Sequence, residues 1–160
     1  MPVEVRISIA DQQLTLFNNE NLLTHYSVST ARNGAGEQFG SGCTPRGHHH
    51  IRLKIGAGSA INTVFVGRRA IGEIYSEALA AQFPDRDWIL SRILWLSGDK
   101  INLNRGGEVD TLRRLIYIHG TPESEPMGIP RSHGCIRMHN HDLIALFDQV
   151  ERGTSVLIEE

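Results

Sequence analysis

Val3, Val5, Ile7 and Ile9 alternate with Glu4, Arg6 and Ser8 at the start of the chain. A period of two marks a strand with one face buried. The alternation returns at His49, Ile51, Leu53 and Ile55, set against His50, Arg52 and Lys54. Runs at 14–17, 22–29, 62–66, 89–96 and 155–158 read as further strands, and the polar turn Asn18-Asn19-Glu20-Asn21 makes the first three a meander. Two stretches carry helical spacing instead. Ile71, Ile74, Tyr75, Ala78 and Leu79 fall at i, i+3, i+4, i+7 and i+8, and Pro84 stops that pattern. Leu143, Ile144, Leu146, Phe147 and Val150 form the second helix, with Asn140 suited to its N-cap, Asp142 to its first turn and Gly153 to C′. The pattern predicts a mainly β single domain over 1–160 with a few short helices. Glycine-rich insertions at 34–42 and 98–107 are long enough to border a binding site.

Composition narrows the function classes. Apolar residues make up 40% and charged residues 21% of 160 residues, an ordinary globular balance. The formal charge of −2 gives no electrostatic reason to expect nucleic acid or an anionic membrane as a partner. No 18-residue apolar run is present to span a bilayer. The chain opens on strand-like alternation, without a basic segment followed by an apolar one, so the sequence leads us to expect a cytoplasmic protein with free thiols at Cys43 and Cys135.

The reactive chemistry concentrates in Ser132-His133-Gly134-Cys135-Ile136-Arg137-Met138, read with His119-Gly120-Thr121. A thiol attacks as its thiolate, which a nearby imidazole can generate and a cation can favour. Gly134 permits a sharp turn at Cys135, and His119 lies at the end of an apolar run that fixes it on a core strand. A distant Cys/His pair is the pattern of a cysteine nucleophile. A bland alternative makes Cys135 a small buried hydrophobe. A metal centre at His133, Cys135, His139 and His141 is the rival from another class, although the spacing matches no usual C-x₂-C or H-x₃₋₅-H ligand pattern. Consecutive residues on a strand point to opposite faces, so His48, His49 and His50 cannot all hold one ion. No metal and no cofactor is expected. Cys43, before the turn Thr44-Pro45-Arg46-Gly47, reads as a structural thiol not bonded to Cys135.

These strings closely resemble the L,D-transpeptidase catalytic domain (YkuD-like) family. The likeness lies in His119-Gly120-Thr121, Gly128, the SHGCIRM string and the Thr44-Pro45-Arg46-Gly47 turn, with Gly67-Arg68 and 91–98 as further similar blocks. It implies a curled β-sandwich or barrel. It implies Cys135 as nucleophile, His119 as general base, and the Gly120 carbonyl as the group orienting the imidazole. The backbone N–H groups of His133, Gly134 and Cys135 would form an oxyanion hole, with Ser132 and His133 shaping the loop. Arg137, where the family's general pattern has Asn, is expected to meet a substrate carboxylate, with Ser132 and Thr121 beside it. The implied partners are peptidoglycan stem peptides or muropeptides, cleaved between the third residue, often meso-diaminopimelate, and D-alanine at position four. Joined to the expected compartment, this favours L,D-carboxypeptidase action in muropeptide recycling. A periplasmic L,D-transpeptidase and a non-catalytic wall-peptide binding module are the alternatives.

Overall fold

The computed structural model describes residues 2–160. The meander is β1 (Val3–Ser8), β2 (Gln13–Asn18) and β3 (Asn21–Ser27). It continues through β4 (Gly47–Ile55), β5 (Thr63–Val66), β6 (Arg69–Ile74), β7 (Ile89–Gly98), β8 (Tyr117–Thr121), β9 (Ile136–His139) and β10 (Ser155–Glu159). Two helices interrupt it, α1 (Glu77–Gln82) and α2 (Asn140–Gln149). All ten strands join one sheet in the order β3-β2-β1-β10-β4-β7-β5-β6, with β8 and β9 branching from β7.

The branch positions the site. One edge of β7 pairs in succession with β4 and β5, and the other with β8. A bulge in β7 around Ser91, whose φ is +72°, lies opposite His119 and Gly120. Bulges bend a strand and raise its local twist, and this one faces the part of β8 that also pairs with β9 in parallel. The inward residues of β1, β2 and β10 (Val5, Ile7, Leu14, Leu16, Val156 and Ile158) close one core with Ile118, Ile136 and Met138. α2 seals it with Leu143, Leu146 and Phe147. Each such side chain, fully buried, contributes about 1.5–3 kcal/mol of transfer free energy.

The expected helix at 71–79 is half strand. Residues 69–74 form β6, paired back onto β5 in a hairpin, and the helix begins only at Glu77, where Ser76 Oγ accepts the Leu79 N–H at 3.1 Å. The spacing Ile71, Ile74, Tyr75 satisfies either geometry over so short a run, and hairpin pairing outweighs it. The cap of α2 also differs. His139 occupies the N-cap without a side-chain hydrogen bond, and Asn140 lies inside the helix, fully buried. Its Oδ1 accepts Ser91 Oγ–H at 2.6 Å, and its Nδ2 donates to the Thr121 carbonyl at 3.1 Å and to Asn62 Oδ1 at 2.9 Å. The amide therefore ties α2 to β8 and to the β7 bulge. The C-cap of α2 is Val150, and Gly153 (φ +90°) turns the chain three residues later.

Candidate active site

β8 and the turn before β9 hold the residues that the sequence singled out. His119 is on β8, 1% exposed, inside a strand in which every residue is buried. Its Nδ1 lies 2.7 Å from the Gly120 carbonyl. A carbonyl only accepts, so Nδ1 carries the proton and Nε2 keeps its lone pair. Burial lowers the His119 pKa, which also favours the neutral ring. Gly120 has no alternative here, because a Cβ would collide with Asn140 Oδ1 and lie 2.6 Å from the Leu90 carbonyl oxygen.

The turn 132–135 is clamped from three directions. Thr44 Oγ1 accepts the Ala31 N–H at 3.0 Å and donates to the Gly134 carbonyl at 2.9 Å. This gives the Thr44-Pro45-Arg46-Gly47 element a physical role. Ser132 Oγ donates to the Cys135 carbonyl at 2.5 Å and accepts the Gly134 N–H at 3.2 Å. Gly134 has φ +133°, and a Cβ there would press on the Cys43 carbonyl and Ile116 at 3.2 Å. Of the three amides expected to receive an oxyanion, that of Gly134 is thus engaged by Ser132. Those of His133 and Cys135 have no hydrogen-bond partner among the described residues.

Cys135 Sγ donates to the Leu115 carbonyl and accepts the Tyr117 N–H, both at 3.3 Å. Burial pushes the thiol up to about 12, so it is protonated at neutral pH. The Cys135–His119 pair is therefore uncharged at rest. No hydrogen bond joins the two among the described residues, but both line one cleft of about 320 Å³. Catalytic hydrogen bonds commonly tighten only when substrate enters.

Ser132, His133 and Arg137 also line that cleft, while Thr121 faces a smaller hollow of about 130 Å³ beside it. Arg137 is 7% exposed, and its charge is already answered. Nη2 meets Asp87 Oδ1 at 2.9 Å, and Nη1 lies 3.8 Å from Glu125 Oε2. Asp87 also holds His133 Nδ1 at 3.1 Å. Burial raises the Asp87 carboxyl, but the Arg137 guanidinium, then the two imidazoles, outweigh it and hold the group below the ordinary carboxylate range. Sequence reading gave no role to Asp87, Arg114 or Tyr117, and none to Arg68 beyond its place in a similar block. No local motif marks them, because long-range folding alone brings them to Cys135.

The remaining residues read from the sequence lie as follows. Cys43 and Cys135 are both free thiols. Among the described residues no three His, Cys, Asp or Glu side chains are grouped to hold a metal ion. His48 is exposed, His50 Nδ1 meets Asp99 at 2.6 Å, and His49 is fully buried. The 34–42 insertion supplies Phe39, Gly40 and Gly42 to a second hollow of about 320 Å³ that shares Arg114, Ile116 and His133 with the Cys135 cleft. The 98–107 insertion supplies no wall to the Cys135 cleft, because Asn104 fastens it to the Arg46 and His48 carbonyls at 3.0 Å. Among the described residues no helix is long and apolar enough to cross a membrane.

A thiol and a tautomer-locked imidazole thus border one cleft of a curled sheet. The chain belongs to the L,D-transpeptidase catalytic domain (YkuD) family, whose model matches residues 2–158. It is 32% identical over 122 residues to the Bacillus subtilis (strain 168) protein named "Putative L,D-transpeptidase YkuD", covering 69% of this chain and 65% of that protein. A second B. subtilis relative, "Putative L,D-transpeptidase YqjB", is 47% identical over 47 residues, 29% of this chain and 27% of that one. In fold the chain resembles L,D-transpeptidase 3 from Mycobacterium tuberculosis, solved with a faropenem-derived adduct. The TM-score is 0.61 at 16% identity, over 99% of this chain and 60% of that one. The chain thus spans less than two thirds of the length of each of these three relatives.

Proposed function

We propose that the chain transfers the acyl group of a peptidoglycan tetrapeptide through a thioester on Cys135. The observation that carries this reading is the shared cleft, in which a protonated thiol and an imidazole with a bare Nε2 face the same space. His119 Nε2 takes the Sγ proton as sulfur attacks the carbonyl carbon of the third residue. In this reading the unpartnered His133 and Cys135 amides receive the oxyanion, each donor typically contributing about 3–4 kcal/mol to the transition state. The carbon–nitrogen bond to D-alanine then breaks, His119 returns its proton to the leaving amine, and a thioester remains.

The second hollow favours an amine as the next reactant. It adjoins the Cys135 cleft through His133, Arg114 and Ile116, which supports a second peptide as acceptor beside the donor. An amine gives transpeptidation. Water gives the tripeptide, the L,D-carboxypeptidase outcome expected from the sequence. Incubating the protein with a tetrapeptide muropeptide, with and without a D-amino acid, tests both. An exchanged product supports transfer, and tripeptide plus free D-alanine in both arms supports hydrolysis. Absence of both products would overturn the acyl-transfer reading in favour of peptide binding alone. The cytoplasmic placement is tested separately by fractionating cells and locating the native protein.

A further inference from the structure

Three guanidinium groups border the Cys135 cleft: Arg68, Arg114 and Arg137. Arg137 is matched by Asp87 and Glu125. Arg114 is a strap, donating to the Gly36 and Cys43 carbonyls at 3.3 and 2.7 Å and to Ser41 Oγ at 3.3 Å. Arg68 differs from both. Its single side-chain hydrogen bond among the described residues runs from Nη1 to the Tyr117 hydroxyl at 3.2 Å, and no described carboxylate lies within ion-pair distance of it. A guanidinium has five N–H donors in a planar fork that matches a carboxylate. Most of that fork is unassigned.

The backbone is bent to place it. Gly67 and Arg68 form the two-residue turn between β5 and β6, with φ of +57° and +66°. A two-residue hairpin turn calls for positive φ at both central positions, which glycine adopts freely and arginine only at a cost, so the turn holds Arg68 in one backbone conformation. The guanidinium then lies 5.1 Å above the Trp95 ring, which packs edge-on against Tyr117 with centroids 5.7 Å apart. Aromatic stacking holds a cation without neutralising it. Tyr117 also sets the distance. Its N–H reaches Cys135 Sγ and its hydroxyl reaches Arg68, so the open fork stands one tyrosine's length from the sulfur.

We propose that Arg68 is the specificity-determining residue for a carboxylate at the far end of the donor's third side chain, a reading that rests on Cys135 being the nucleophile. The carboxylate of the leaving residue lies only two bonds from the scissile nitrogen, too close to span the Tyr117 side chain. A side chain that carries its acid several carbons from the reacting carbonyl reaches the fork.

Two measurements test this, and the first does not depend on the peptide reaction. Cys135 is alkylated with maleimidoalkanoic acids of increasing chain length and with their primary amides, and peptide mapping separates it from Cys43. In the wild type the acid-to-amide rate ratio should rise with chain length, and in Arg68→Gln it should collapse towards one, with Arg68→Lys between them. The same ratio in wild type and Arg68→Gln at every length overturns the proposal. The second measurement compares tetrapeptides whose third residue ends in a carboxylate, in its amide, or in an amine alone. Arg68→Gln should lower kcat/KM about 10- to 100-fold on the carboxylate substrate, the range expected for a charge-assisted hydrogen bond, and leave the other two nearly unchanged. An equal loss on all three, or a loss that instead follows amidation of the terminal D-alanine, overturns it. If the wild type turns over no tetrapeptide, the acyl-transfer reading fails, and the alkylation ratios still decide the role of Arg68.

Discussion

Two histidines on strands that both pair with β7 share almost every property except the one that matters for chemistry. His49 on β4 and His119 on β8 are both buried, and each Nδ1 donates to a backbone carbonyl, Gly47 at 2.9 Å and Gly120 at 2.7 Å. Burial depresses both, His49 to about 4. The difference lies at Nε2. In His49 it accepts from the buried Thr111 hydroxyl at 3.0 Å. In His119 it has no partner among the described residues and borders the cleft that holds Cys135. A buried, tautomer-locked imidazole is thus a structural unit when its second nitrogen is satisfied and a proton acceptor when that nitrogen faces a space for substrate.

Breaking the pair apart should give the largest effect. His119→Gln should lower kcat for acyl transfer about 10²- to 10⁴-fold, the usual contribution of a positioned base, with little change in Tm. Equal kcat in mutant and wild type would remove His119 from the chemistry. Cys135→Ala should abolish thioester formation, read as the loss of an acyl adduct by intact mass. His49→Gln should do the reverse, leaving kcat within about twofold of wild type while destabilising the fold by about 1–3 kcal/mol, because Thr111 and the Gly47 carbonyl lose their partner. A drop in kcat without a change in urea midpoint would merge the two histidines into one class.

Acid sharpens the contrast. A histidine whose folded pKa lies below its unfolded value near 6.5 gives stability that is present above that value. For His49 the stability falls as pH drops from about 6.5 and is gone below about 4, a loss of a few kcal/mol. Urea titrations at pH 7 and pH 4 should show that slope, and His49→Gln should flatten it. For His119 the same direction of shift places the acid limb of kcat/KM below pH 6.5, since the neutral base persists below its ordinary range. A limb centred above 6.5 would contradict the burial argument. Alkylation of Cys135 by iodoacetamide should rise about tenfold per pH unit through pH 10 without a plateau, because its thiol titrates near 12. Among the groups around the cleft, the smallest effect belongs to Asp87→Asn. It loosens His133 and Arg137 without touching either member of the pair, and should cost about three- to tenfold in kcat/KM, as expected for one charge-assisted contact at a half-exposed site.

The sequence made some of this legible. Strands with one buried face announce themselves by alternation, so β1 and β4 could be placed within two residues. That Cys135 and His119 deserve to be read together followed from residue type and from a specific string, and the structure brings both to one cleft. The β5–β6 hairpin was lost because Ile71 and Ile74 of β6 continue into a spacing that also suits a helix. Asn140 was read as a cap because its three long-range partners, Ser91, Asn62 and Thr121, lie 19 to 78 positions away. Arg137 was given an outward task because nothing in the string shows Asp87, 50 positions upstream, folding over it. Local pattern reveals what a residue can do, and distant contacts decide which of its groups remain free to do it.

The parallel pairing of β1 with β10 has a mechanical consequence. Residues 4 to 8 run alongside 155 to 159 in the same direction, so chain leaving before β1 and chain leaving after β10 depart from opposite ends of the strand pair. Tension applied through both flanks loads the cross-strand hydrogen bonds in shear. They must then fail together rather than unzip one at a time. The two strands farthest apart in the sequence thereby form a latch across the core, and a pull along the chain meets that latch before it reaches β8 and the Cys135 cleft.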